Sequence, residues 1–135
     1  MTTIPSHYPG DIRTPWGWSH TKERMQRGVV YVTTGRHGGY MIAESIARDK
    51  LSLRALAIGF RWRDSRNSTV YYCFEEDCDY NVVWWERPEW ITNWHSERFG
   101  RDKCRAMAGT WLRQWRPEYW QGGEEDSNDV PTEAE

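Results

Sequence analysis

An α+β fold, with a small and mainly antiparallel β-sheet packed against two or three helices, follows from three features of the sequence. The β-branched and aromatic run Val29 to Thr34 meets a second apolar stretch, Tyr40 to Ala43, across Gly35-Arg36-His37-Gly38-Gly39. A glycine-rich connection between two such runs is a hairpin signal. Thr69 to Glu75 alternates Val70, Tyr72 and Phe74 against Thr69, Tyr71 and Cys73, the period-two pattern of a strand. Arg101 to Trp115 instead sets Cys104, Met107, Ala108, Trp111 and Trp115 at i, i+3, i+4, i+7 and i+11, the stripe of a helix with a core face.

The remaining elements follow in chain order. Residues 1–13 read as an arm rich in proline, leading into Thr14-Pro15-Trp16-Gly17, where the single domain of residues 14–120 begins. After the hairpin, Ala43 to Leu56 places Ile46, Leu53 and Leu56 among charges, which predicts one or two short helices interrupted at Leu51-Ser52. Arg61 to Ser68 is a polar, arginine-rich stretch with no strand pattern. Tyr80 to Glu86 carries Val82 and Trp84 on one alternating face and Val83 and Trp85 on the other, which predicts a second strand buried on both sides and paired with the first through Glu76-Asp77-Cys78-Asp79. Pro88 stands where a first-turn proline belongs, with Ile91, Trp94 and His95 at helical spacing until Gly100. On the last helix Gly109 costs about 1 kcal/mol relative to Ala. Arg105, Arg113 and Arg116 fall on a face beside the core stripe, presented outward. Arg116 precedes Pro117, which favours ending the helix there. From 121 to 135 the composition is too polar to offset the entropy of ordering, and an acidic disordered tail is expected.

Charge is unevenly spread. Six acidic and no basic groups follow Gln121, so residues 1–120 hold 18 basic against 14 acidic groups, a net of +4. A mildly basic body with an acidic tail suits contact with phosphates or an acidic protein surface. The N-terminus, MTTIPSHYPG, has no apolar segment behind basic residues, and no run approaches membrane-spanning length; a cytoplasmic protein with no membrane association is the expectation. Three cysteines, an odd number, suit reduced thiols better than a disulfide framework.

Ten tryptophans and fifteen arginines point to recognition, because these side chains concentrate binding energy in interfaces. Trp84, Trp85, Trp94, Trp111 and Trp115 lie on periodic elements and are assigned to the core. Trp16, Trp18, Trp62 and Trp120 lie near Arg13, Arg61, Arg63 and Arg116, where cation–π contacts form with each other or with a partner. The candidate binding residues are therefore Arg36, His37, Arg61, Trp62, Arg63, Arg105, Arg113, Arg116 and Trp120. The glycine-rich turn is either an anion nest closed by Arg36 and His37 or a plain turn that needs positive φ; the spacings of a nucleotide-binding loop are missing. Glu75, Glu76, Asp77 and Asp79 do not form an EF-hand, and an acidic turn paired with Arg61, Arg63 and Arg66 explains them without a metal. Cys73, Cys78, His95 and Cys104 match no zinc module, and buried thiols explain Cys73 and Cys104. No metal, no cofactor and no catalytic residue is assigned.

Thr14-Pro15-Trp16-Gly17, Thr33-Thr34-Gly35-Arg36-His37-Gly38-Gly39, Glu75-Glu76-Asp77-Cys78-Asp79-Tyr80 and Trp115-Arg116-Pro117-Glu118-Tyr119, in that order, resemble a family of small uncharacterised proteins carried by phages and plasmids. The likeness covers most of Thr14 to Trp120. It departs at Gly35-Arg36, where that family's turn usually has a serine before the histidine. The resemblance implies a setting and no activity. In that setting the expected role is an accessory protein that binds and disables a host protein or nucleoprotein complex, such as a CRISPR effector, by stoichiometric binding. Two other readings stand beside it: a small hydrolase or phosphate-processing enzyme built on His37 and the acidic turn Glu75 to Asp79, and a module that binds single-stranded nucleic acid or a nucleotide through Arg36 and the loop tryptophans.

Overall fold

The computed structural model describes residues 12–121. A five-stranded antiparallel sheet, in the order β3-β4-β5-β7-β6, is built from β3 (Thr21–Gln26), β4 (Val29–Thr33), β5 (Gly38–Ala43), β6 (Phe60–Arg63) and β7 (Val70–Glu75). A two-stranded hairpin, β1 (Arg13–Thr14) and β2 (Gly17–Trp18), precedes it. Helices α1 (Glu44–Lys50), α2 (Leu53–Ile58), α3 (Tyr80–Glu86), α4 (Asn93–Phe99), α5 (Arg101–Trp115) and α6 (Pro117–Gln121) complete an α+β fold. None of the described helices is long and apolar enough to cross a membrane. The expected arm lies outside the described residues up to residue 11, and the expected tail lies outside them after Gln121.

The register separates the two faces of the sheet. Glu23, Tyr31, Tyr40 and Phe74 are cross-strand partners in succession, so they share the face that packs against the helices in the main core. Arg24, Val30, Met41, Cys73 and Phe60 are likewise partners in succession and share the outer face. There Val32, Met41 and Cys73 are buried against Ile12, Trp16 and Trp62. Trp16 meets Phe60 edge to face at 6.1 Å, which places the small hairpin as a partial lid over the outer face.

The hairpin of β4 and β5 forms as the sequence predicts, and its glycines have steric reasons. A Cβ on Gly38 would stand 2.3 Å from the Val32 carbonyl oxygen, and one on Gly39, at φ +148, would stand 2.1 Å from that of Phe74. Close backbone approach therefore excludes side chains at both positions. Ala43 to Leu56 divides into two helices at the expected break, because the Ser52 hydroxyl accepts from the Ala55 N–H and caps α2.

Tyr80 to Glu86 is a helix and not the expected strand. Val82, Val83, Trp84 and Glu86 are all buried and Trp85 is half-buried, because α3 is wedged between the sheet and α5. Burial around most of a short helix abolishes its amphipathic period, and a four-residue apolar run then reads equally as strand or helix. The acidic turn consequently joins β7 to α3. Besides the two short strands of the β1–β2 hairpin, two strands of the five-stranded sheet were also missed. The sequence TKERMQ of β3 and FRWR of β6 lie at the two edges of the sheet, where solvent replaces the alternating pattern with polar residues.

Pro88 does open a helical turn, but only a 3-10 turn, Pro88–Trp90. It drives Trp90 into the core at 1% exposure, where its indole N–H donates to Gln26 at 2.9 Å. Helix α4 starts afresh at Asn93 under a Thr92 cap. Gly100, at φ 84, turns the chain directly into α5. Cys104, Ala108 and Leu112 form the buried stripe of α5, while Met107 and Trp115 are more than half exposed, so the core face is rotated from the predicted one.

Candidate functional site: an aromatic groove beside α4

The arginines assigned to recognition on α5 are occupied within the molecule. The Arg105 guanidinium lies 3.8 Å from the Trp85 ring centroid and its Nε donates to the Trp85 carbonyl at 2.7 Å. Arg113 covers Trp120 at 4.3 Å, and Trp85 and Trp120 meet edge to face at 5.2 Å. Arg116 is paired with Asp79 at 2.8 Å. This Arg–Trp ladder fastens α6 and the α5 terminus to α3, which accounts for Arg105, Arg113, Arg116 and Trp120 by packing. On β6, Arg61 reaches Glu44 at 2.9 Å, a carboxylate shared with Arg48. Desolvation acts to raise the Glu44 carboxyl, and the hydrogen bonds and charges of Arg48 and Arg61 together outweigh it and hold the group below its ordinary value. Trp62 stacks on Tyr71 at 6.2 Å, and the Arg63 guanidinium donates to the Ser68 carbonyl. The expected pairing of the acidic turn with Arg61, Arg63 and Arg66 is replaced by Glu75–His37 and Asp79–Arg116.

Arg36 and His37 stand exposed on the β4–β5 turn. Their backbone N–H groups both donate to the Thr34 hydroxyl, at 3.2 and 3.1 Å, so the donors that an anion nest would offer already have an acceptor. His37 Nδ1 meets Glu75 Oε2 at 3.1 Å. The Cys78 thiol meets Glu75 as well, at 3.9 Å from Oε1, so the carboxylate stands next to both groups. A nucleophile needs its base as the immediate neighbour, and burial raises the Cys78 thiol above its ordinary pKa. Burial pushes the Cys73 thiol up to about 12. Among the described residues no three His, Cys, Asp or Glu side chains are grouped to hold a metal ion.

A groove of about 400 Å³ opens where the β3 edge meets α4, lined by Thr21, Glu23, Tyr31, Thr33, Trp94 and His95, with Lys22 and Thr92. Its floor is the helix-side row of the sheet, and its wall is the first turn of α4. Glu23 accepts from the Asn93 N–H at 2.8 Å, tying the strand to the helix start, where a carboxylate also meets unsatisfied amides. Thr21 and Thr33 hydroxyls bond across the strands. Burial and the nearby Glu76 carboxylate push the Tyr31 phenol far above its ordinary range, and it donates a long hydrogen bond to Glu76.

His95 is held by geometry. The Thr92 hydroxyl accepts from the His95 N–H at 3.2 Å and lies 2.7 Å from Nδ1. A hydroxyl that donates to Nδ1 leaves the ring hydrogen on Nε2. Burial lowers the His95 pKa, opposed by Glu23, which favours the neutral ring. Trp84 and Trp94 flank the ring at 4.8 and 4.9 Å. On the rim, Trp94 is 53% and Phe99 46% exposed; their rings meet at 6.1 Å, and the Arg98 guanidinium lies 4.3 Å from the Trp94 centroid. This is an aromatic surface around one imidazole whose pKa burial lowers, with Thr21 bonded to Thr33 and Thr92 to His95 in the groove.

Sequence reasoning placed Trp94 in the core and passed over Phe99. The signal available was Thr92, a capping residue followed by Asn93, which starts the helix late enough to turn Trp94 outward. No curated protein and no solved structure matches the chain. A family model described as "Domain of unknown function (DUF7007)" matches residues 9–131, across the sheet, the groove and the Arg–Trp ladder, and the chain belongs to that family.

Proposed function

We propose that the chain is a non-enzymatic binding protein of a mobile genetic element, an accessory factor that disables a host protein or nucleoprotein complex by stoichiometric binding, in the manner of an anti-CRISPR inhibitor. The observation that carries the binding reading is the exposed cluster of Trp94, Phe99 and Arg98 on the rim of the α4 groove. Aromatic rings and a guanidinium in contact with one another at the surface are the composition of an interface hot spot. Met107 and Trp115 on α5 are also exposed. The mobile-element setting is supported by the order of short motifs in the sequence, and the counter-defence role by that setting.

The test is capture from an extract of host cells with the wild-type chain, Trp94→Ala/Phe99→Ala and Arg36→Ala/His37→Ala. The expected result is one partner held at a fixed molar ratio by wild type and by the turn variant. Removing two hot-spot rings costs at least ~2 kcal/mol, so the α4 variant should lose the partner about thirtyfold or more. Equal retention by the α4 variant, or consumption of a substrate by substoichiometric protein that His37→Ala abolishes, would overturn the reading in favour of another surface or of hydrolysis.

A further inference from the structure

The outer face of the sheet carries a second groove, which shares only Lys22 with the one beside α4. It has a volume of about 380 Å³ and is lined by Ile12, Lys22, Arg24, Gly28, Val30 and Tyr71, with Val29. Among the described residues no carboxylate lines it; Asp64, the acid whose charge reaches the Tyr71 phenol, is outside the lining. Lys22 and Arg24 occupy alternate positions of β3 opposite Val32 and Val30, so both side chains start from the outer face, about 7 Å apart along the strand. Both are exposed. Arg61, Arg105, Arg113 and Arg116 are engaged with carboxylates or indole rings, whereas Lys22 and Arg24 make no ion pair, hydrogen bond or ring contact through their side chains among the described residues. Arg27 and Arg13, each next in the chain to a lining residue, are also exposed.

We infer that this face binds single-stranded nucleic acid, with an unpaired base packed against Tyr71 and Val30 and the backbone phosphates on Lys22 and Arg24. The groove is lined by the apolar Ile12, Val30 and Tyr71 together with the cationic Lys22 and Arg24. That combination matches a π-face joined to a phosphate. Tyr71 is backed by Trp62, stacked at 6.2 Å with 29° between planes, which fixes the ring as a platform. The phenol stays neutral, since burial raises its pKa, and adds no charge against phosphate. A paired base has its faces covered by neighbours in the stack, so a duplex cannot place a base on Tyr71.

Anisotropy titrations of the full chain with labelled ~15-nucleotide single strands, the same sequence as duplex, and a mononucleotide test this. Single strands should bind at least tenfold more tightly than duplex, and binding should weaken about sevenfold between about 50 and 200 mM salt if two phosphates are neutralised, one on each of Lys22 and Arg24. Lys22→Glu/Arg24→Glu, two exposed positions on an edge strand, should reduce affinity at least tenfold. Tyr71→Ala should do so as well, and Tyr71→Phe should not. Trp94→Ala should bind strands like wild type, which separates this face from the α4 groove. Unchanged affinity in Lys22→Glu/Arg24→Glu, equal binding of duplex, or a mononucleotide held as tightly as the strand would each overturn the inference.

Discussion

Glu86 is a carboxylate at 2% exposure that accepts from the Ser52 N–H at 2.9 Å, from the Ser52 hydroxyl and from the Tyr119 hydroxyl. It thereby joins the end of α3 to the cap of α2 and to α6. Burial raises its pKa above the ordinary 4.5, while the three hydrogen bonds and Arg54 oppose that rise. The folded state therefore holds the proton more tightly than the unfolded chain. Stability conferred by that proton is fully present below the unfolded value and is lost as pH rises through the raised, folded value. Denaturant unfolding of wild type and Glu86→Gln across mildly acidic pH should show this fall in wild type and its disappearance in the variant. Parallel slopes would assign the pH dependence to other groups. Neither Glu86 nor Trp94 was legible in the sequence at this scale: a single polar residue ending an apolar run, or one tryptophan near a helix start, takes its surroundings from tertiary packing.

The elements with a repeating pattern were legible and the irregular ones were not. The β4–β5 hairpin, β7, the α1–α2 break at Ser52 and the span of α5 follow from period, caps and glycines. Helix α3 was misread because its buried faces hid the helical period, and β3 and β6 because edge strands show solvent to their polar side chains. The contact of α5 with α3 gives a direct test of this packing. Gly109 faces the Trp85 ring, and a Cβ there would stand 2.7 Å from it. Trp85 cannot retreat freely, since Arg105 and Trp120 press on it. Gly109→Ala should therefore destabilise the fold by about 1–3 kcal/mol through overpacking, despite gaining about 1 kcal/mol in helix propensity. A rise in unfolding midpoint would mean that the Arg–Trp ladder yields easily.

For the whole molecule, the surface divides by what the arginines and tryptophans are already doing. The α5 guanidiniums and Trp120, assigned to recognition from sequence, are consumed in packing. Exposed aromatic surface lies instead on α4, and uncommitted cations lie on β3. The sequence reading expected more rings and guanidiniums than a core needs, and it could not assign them to faces because β3 and the true start of α4 were hidden from it. The two surfaces lie on opposite faces of one sheet and share Lys22 in their linings, so Trp94 and Tyr71 are the positions at which each is open to mutation without the other.

Hydrogen exchange on the chain bound to the partner captured from host extract tests the binding account most directly. The account predicts slowed exchange in Asn93–Phe99 and in the adjoining β3 edge, with amides 35–39 of the glycine-rich turn exchanging as in the free chain. Protection centred on that turn, with α4 unaffected, would contradict it.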